Sequence, residues 1–309
     1  MTSTVLVAGA TGDLGSRIVR ELLGDSAHPD TLVRVLTRPG GGTARAMYAG
    51  EDRVDIHEAA YTDEPALVAA LSGVDAVISA VSGTATVILD AQRALLAAAV
   101  KAGVKRFIPS DYSADYRRVT PGSNRNFELR REFAATLDAA PLRGTSVLNG
   151  AFTDMLTGQA PMILFGRRRV LFWSSPDQVL DFTTKDDVAR VVALVALDAD
   201  APRVVEVSGD RVTARSIAQT LSGLTGTPFT PQWAGTTGTL STMSKIGRAL
   251  SKDKNATFPA WQGMQYFVSM FSGEAQLHHV DNERYGPHDW TSVREVVQAH
   301  LRRTAVQSA

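Results

Sequence analysis

The segment Val5-Leu6-Val7-Ala8-Gly9-Ala10-Thr11-Gly12-Asp13-Leu14-Gly15 constrains this chain more than any other. A β-branched, apolar run stops at Gly9, and three glycines follow at G-x-x-G-x-x-G spacing. Leu14, Ile18 and Leu22 then recur at helical spacing. The pattern predicts a strand, a tight turn and a helix start. Glycine lets the backbone turn sharply and approach a ligand, and the exposed N–H groups of a helix start face an anion. The segment therefore suits the pyrophosphate of a dinucleotide, and Gly9, Thr11, Gly12, Asp13, Leu14 and Gly15 are its candidate contacts.

The first half continues the alternation. Leu32–Leu36, Val54–His57, Asp75–Val81, Lys105–Pro109 and Thr145–Leu148 read as further strands. Between them lie helical patterns: one opened by Thr62-Asp63-Glu64-Pro65, one marked by Leu89, Leu96 and Val100, and one over Phe127–Leu137. Alternating strands and helices imply a parallel sheet with right-handed crossovers, so the fold class is α/β, a Rossmann-type doubly wound parallel sheet. A smaller, mixed α/β substrate region is expected to follow. The expected division is 1–155 for dinucleotide binding and 156–309 for substrate, with elements at about 180–210 packing back on the sheet.

In that second half, Val170–Trp173 and Val179–Phe182 suggest a hairpin around Ser174-Ser175-Pro176-Asp177. Thr184-Lys185-Asp186-Asp187 resembles a capping box, Val204–Val207 reads as a strand, and Thr213 caps a helix to Gly223. Pro231–Pro259, rich in Gly, Thr, Ser and Lys, reads as an irregular cover, and Thr291–Arg303 as a closing helix.

Ligands of an open α/β sheet bind at the carboxyl ends of its strands. The residues just past each strand are thus expected to converge: Gly9–Gly15, Thr37 and Arg38, Ala80, Val81 and Ser82, Pro109, Ser110, Asp111 and Tyr112, and Asn149 to Phe152. The second strand ends in Leu36-Thr37-Arg38. An acid there would favour the ribose 2′-OH of NAD, whereas Arg38 offers a fork to a 2′-phosphate, which points to NADP(H).

Classical short-chain dehydrogenases use Tyr-x-x-x-Lys. Here Tyr48, Tyr61, Tyr112, Tyr116, Tyr266 and Tyr285 are followed four residues later by Asp52, Pro65, Tyr116, Thr120, Met270 and Asp289, so that mechanism is absent.

Lys+Arg and Asp+Glu both number 32, so no net field draws nucleic acid or an anionic membrane. Arg167-Arg168-Arg169 reads as a solvated tip. With no cysteine there is no disulfide and no thiolate chemistry, and the six histidines lack metal-ligand spacing. A strand starting at residue 5 leaves no room for a signal peptide, so a cytoplasmic protein is expected.

The chain resembles the NmrA-like and isoflavone-reductase-like families of atypical short-chain dehydrogenases. The resemblance rests on Gly9–Gly15, Leu36-Thr37-Arg38, and Asp63 followed by LVAALSGVDAVISAV at 67–81. It continues through AGVKRFIPSDY at 102–112 and DDVARVVALVAL at 186–197, and weakens after about residue 230. It implies NADPH on the glycine turn and near Pro109-Ser110. It also implies a lysine one helix later that assists proton transfer at the nicotinamide side. Asn126–Phe133 aligned on that pattern puts Arg130 at the lysine position. Arginine cannot give up its proton, but it can hold a substrate oxygen or stabilise developing negative charge. A structural arginine paired with an acid is the alternative. Tyr112, Asp111 and Tyr116 are the other proton-donor candidates, Tyr112 being favoured because a phenol polarises a carbonyl and then donates.

The function read from these residues is an NADPH-dependent reductase of a small apolar or aromatic enone, quinone or ketone. Phe152, Met155, Trp173, Phe229 and Trp233 are candidate apolar walls. The alternative is a non-catalytic NADP(H) sensor of the NmrA type that binds a protein partner. An epimerase or dehydratase of nucleotide sugars is disfavoured by the missing Tyr-x-x-x-Lys.

Overall fold

A computed structural model describes residues 3–158, 162–252 and 256–307, with side chains through 304. The chain divides into two compact units. The first comprises 1–112, 129–147 and 188–205, and the second 113–128, 148–187 and 206–309.

The first unit is built on six strands: β1 (Thr4–Ala8), β2 (Leu32–Thr37), β3 (Val54–Glu58), β4 (Ala76–Ser79), β5 (Arg106–Ile108) and β6 (Arg143–Gly144). They lie in the order β3-β2-β1-β4-β5-β6, every pair parallel. The order reverses between β1 and β4, which makes their carboxyl ends the switch point of a doubly wound sheet. Val5, Leu6, Val7 and Ala8 are all fully buried, as a central strand covered on both faces requires.

The crossovers include α1 (Asp13–Gly24), α2 (Gly42–Met47), α3 (Glu64–Leu71), a π-helical turn at Thr86–Ala91 running into α4 (Gln92–Lys101), and α5 (Arg125–Asp138). Helix α1 buries Ile18, Val19 and Leu22 as one stripe. Helix α3 starts where sequence predicts: the Asp63 side chain accepts from the Ala66 N–H (3.1 Å), with Pro65 in the first turn. Leu6, Leu67, Leu71, Leu95, Phe107, Phe133 and Leu137 form one core, with the Phe107 and Phe133 rings 6.0 Å apart. The strand predicted at Thr145–Leu148 forms over Ser146–Leu148, but it leaves the six-stranded sheet, whose edge is the preceding dipeptide β6, and pairs with Val204–Glu206 instead. The Thr145 N–H still donates to Phe107 (3.1 Å), but Ser146 turns to another neighbour and donates to the Arg203 carbonyl (3.0 Å).

The second unit holds two three-stranded sheets. In one, Arg169–Phe172 pairs in parallel with Thr230–Trp233 and antiparallel with Ile163–Leu164. In the other, Leu180–Thr183 pairs antiparallel with Asp210–Val212 and in parallel with Ala151–Phe152. The expected hairpin is therefore not formed. The linker between its two strands has other partners: Ser174 donates to Gly235 (2.9 Å), and Asp177 binds Arg215 (2.7 Å). Pro176 also lacks the N–H that a ladder needs.

Pro231–Pro259 is not irregular either: it holds a strand end and the helix Thr237–Leu250, although residues 253–255 lie outside the described residues. That helix is rich in Gly, Ser and Thr and has poor intrinsic propensity. It forms because Thr236 and Thr239 make a reciprocal cap and because Leu240 and Ser244 are buried, Ser244 donating to the Trp261 carbonyl (2.9 Å). Thr213 caps Ala214–Thr225 as predicted, and the last helix spans Val293–Gln307. The unit's core includes Leu156, Trp173, Leu180, Phe182, Ile217, Leu221, Phe271 and Val297.

Candidate functional site

The glycine turn lies directly after β1. Gly9 has φ +82°, a left-handed conformation, and a Cβ there would stand 2.6 Å from the Ala80 carbonyl oxygen. A Cβ on Gly15 would stand 2.1 Å from the Gly9 carbonyl oxygen. No side chain fits at either position, so the backbone packs against itself and the turn stays low. The Gly12 N–H closes it on the Gly9 carbonyl (3.0 Å). Asp13 opens α1 and binds Arg17 Nε (3.0 Å). Thr11, Gly12 and Asp13 are exposed, Leu14 is half-buried and Gly15 is buried. This open rim, with a helix start behind it, is the cradle a pyrophosphate needs.

Two neighbouring strand ends meet at this turn. The Gly9 Cβ position also lies 3.2 Å from the Val81 nitrogen, so Gly9, Ala80 and Val81 come together. Ser110 Oγ donates to the Val81 carbonyl (2.6 Å), which brings the segment after β5 to the same place. Ser82 is exposed beside them, and Pro109 is buried. Arg38 is exposed after β2, and its charge offsets part of the effect of burial that pushes Tyr61 up to about 12.

The residues after β5 differ sharply in environment. The Tyr112 phenol is buried and donates to the Ser79 carbonyl (3.1 Å). Burial, and then the charge of Asp111, push its pKa well above the usual phenol range. It is a proton held firmly, and a weak acid. The Asp111 carboxylate is fully buried and accepts from Ser146 Oγ (2.6 Å), which in turn accepts from Arg203 Nη1 (2.8 Å). Arg203 also binds Asp138 (2.5 Å). Arg130 is half-buried on α5, one turn before fully buried Phe133.

Two contributors carry no motif in the sequence. The Tyr48 hydroxyl donates to the Ala10 carbonyl (2.5 Å) and pins the glycine turn from behind. The Gln92 side chain is buried at the end of the π-helical turn. Its Nε2 donates to the Ile88 carbonyl (2.7 Å) and its Oε1 accepts from the Ser110 N–H (2.9 Å). A buried glutamine at the start of α4 is the signal that marks this brace, and it is visible only once burial is known.

Asn149 and Phe152 belong to the second unit. There Asn149 is buried, with its carbonyl accepting from Thr183 Oγ1 (2.7 Å), and Phe152 is half-buried. Of the candidate apolar walls, Trp173 is stacked on Phe267 (5.1 Å) within the core of that unit and Phe229 is buried in the same core. Trp233 is 61% exposed, and Met155 is half-buried. Tyr116 is buried against Phe127. Among the described residues no group of three His, Asp or Glu is placed to hold a metal, and no helix is long and apolar enough to cross a membrane.

Comparison with known proteins gives the family and the fold. The model of the NmrA-like family matches residues 1–267. Pinoresinol reductase 2 of Arabidopsis thaliana is 30% identical over 203 residues, 61% of this chain and 63% of that protein. Oxidoreductase aprR of Aspergillus flavus is 34% identical over 160 residues, half of each chain. The chain thus spans less than two thirds of the length of these relatives. Among solved structures, AtPrR2 with NADP+ and (+)pinoresinol superposes with a TM-score of 0.78 at 22% identity, covering 97% of this chain and 99% of that one. A quinone oxidoreductase of Escherichia coli superposes with a TM-score of 0.72 at 21% identity, covering 96% and 99%.

Proposed function

The chain belongs to the NmrA-like family, and from that premise we propose that it is an NADPH-dependent reductase of a small apolar or aromatic enone, quinone or ketone. The observation that carries this reading is the cradle at the sheet's switch point, where Gly9 and Gly15 leave no room for a side chain and the helix start faces outward. Relatives named as pinoresinol reductases and an oxidoreductase support the reaction class.

In this reading Gly9, Thr11, Gly12, Asp13, Leu14 and Gly15 hold the pyrophosphate, and Arg38 takes the 2′-phosphate. Ala80, Val81, Ser82, Pro109 and Ser110 line the path toward the nicotinamide; Asn149 and Phe152 are further candidate contacts only from their place just past a strand end. The bound nicotinamide supplies a hydride.

The protein's own residues supply orientation and charge. Gln92 and Ser110 fix the segment after β5 against Val81. Tyr112, kept protonated by burial, holds the Ser79 carbonyl and with it the start of the Ala80–Ser82 segment. Asp111 anchors the same loop through Ser146 and Arg203. Arg130 stabilises the negative charge that develops on the acceptor oxygen, a role open to a group that never loses its own proton. The final proton comes from solvent. The protein works in the cytoplasm on a small molecule, without nucleic acid or membrane.

The test is a titration with NADPH followed by a panel of enones, quinones and aromatic ketones, monitored at the nicotinamide absorbance band. Binding with turnover on any class supports the reading. Binding with no turnover on any acceptor replaces it with the sensor reading, in which a protein partner reads the NADP(H) state. Failure to bind any dinucleotide overturns both.

A further inference from the structure

The loop after β2 is closed by a carboxylate from the neighbouring strand. Glu58 is the last residue of β3 and stands in register with Thr37, the residue before Arg38. Its Oε2 accepts from the Gly40 N–H (3.0 Å) and its Oε1 from the Gly41 N–H (3.2 Å). The same carboxylate is ion-paired with Arg45 Nη2. The loop is tight around this contact: a Cβ on Gly41 would stand 2.4 Å from the Thr37 methyl carbon, and Gly40 has φ +84°. The Gly40 N–H, and then Arg45 and the Gly41 N–H, hold the Glu58 carboxyl below the usual carboxylate range, so it is ionised at neutral pH.

A negative charge thus sits within two to three residues of Arg38, at the strand ends where the adenosine ribose of a dinucleotide lies. It also occupies Arg45, the next cation along the chain from Arg38. A 2′-phosphate arriving at Arg38 meets Coulomb repulsion from Glu58, while a ribose 2′-OH does not. We propose that Glu58 is a cofactor-specificity residue: by holding Arg45 and fixing a carboxylate on the loop two and three residues past Arg38, it limits the preference for the 2′-phosphorylated dinucleotide.

This rests on the dinucleotide reading of the site and adds to it a residue that acts against Arg38. Glu58 is partly exposed at a strand end, with side-chain accessibility of 27%, so its replacement leaves the core intact. Glutamine keeps its size and acceptor oxygen while removing the charge.

The experiment is to titrate the wild-type chain, Glu58→Gln and Glu58→Asp with NADPH and with NADH, following nicotinamide fluorescence. In Glu58→Gln the ratio Kd(NADH)/Kd(NADPH) rises roughly fivefold at low salt, through tighter NADPH binding, and the gain shrinks as salt screens it. Glu58→Asp keeps the charge and stays near the wild-type ratio. An unchanged or lower ratio in Glu58→Gln, or equal weakening of both cofactors, overturns the inference and leaves the dinucleotide reading standing. A wild-type chain that binds neither cofactor overturns the dinucleotide reading and this inference with it.

Discussion

The Tyr48 hydroxyl, at the end of α2, donates to the carbonyl oxygen of Ala10 in the middle of the glycine turn, 2.5 Å away. Ala10 is buried, so its carbonyl has no water to replace this donor. Tyr48→Phe leaves the acceptor unsatisfied and costs about 1–3 kcal/mol. A melting temperature lower by several degrees is expected, with a several-fold weaker Kd for NADPH because the turn is no longer held from behind. Equal NADPH affinity in the variant would show that the turn keeps its shape without this bond.

Gly15 and Gly24 lie on the same helix and make a matched pair for testing the cradle. Gly15→Ala puts a Cβ against the Gly9 carbonyl, whereas the position at Gly24 has nothing within 4 Å. Alanine at 15 forces the backbone of the turn apart, and NADPH affinity is expected to fall by roughly tenfold or more, the equivalent of about 1.4 kcal/mol. Alanine at 24 is expected to be neutral or to stabilise by about 0.4–1 kcal/mol through the unfolded chain. Isothermal titration for the first and thermal melts for the second check both.

Arg130 separates binding from chemistry. If it stabilises charge that develops on the acceptor, Arg130→Ala lowers kcat by about 10²–10³ while the Kd for NADPH changes little. Arg130→Lys is expected to recover part of the loss, since lysine keeps the charge without the fork. Single-turnover rates at saturating NADPH read the effect directly. A variant with normal kcat would return Arg130 to a purely structural role.

Buried phenols set an upper limit on pH. Tyr48 and Tyr61 are both pushed up to about 12 from 10.0, chiefly by burial, and Tyr112 is raised further. A raised pKa in the fold means the native state binds the proton more tightly than the unfolded chain does. The resulting stability is fully present below about pH 10 and is lost as pH rises from about 10 to 12. Ultraviolet titration is expected to show these phenols ionising late or only on unfolding, and Tyr48→Phe is expected to soften the alkaline loss. Early ionisation of all six tyrosines would contradict the burial.

The first-unit architecture was legible because its signals are local. The strand–glycine–helix segment, the apolar runs of β4 and β5 and the Asp63 cap each act within a few residues, and their order alone predicts a parallel sheet. Several strand ends were legible as site edges for the same reason: in a doubly wound sheet the carboxyl end of every strand faces one rim. The second unit resisted because its partners are distant in sequence. Arg169–Phe172 finds Thr230–Trp233 some sixty residues on, and nothing in Ser174–Asp177 announces that its groups are spoken for by Gly235 and Arg215.

The amino-acid order by itself determined the turn, since only glycine tolerates the conformation at position 9 and the close approach at position 15. It also placed Arg38 at the end of β2. The tertiary structure alone decided which polar groups brace that turn and the neighbouring strand-end loops. Tyr48, Gln92 and Glu58 come from α2, α4 and β3, and none has a spacing that marks it. Their roles follow from burial and from hydrogen bonds across 18 to 38 positions of sequence. Such long-range bonds exist only once the sheet and its helices have closed, because a polar group chooses its partner by proximity after folding.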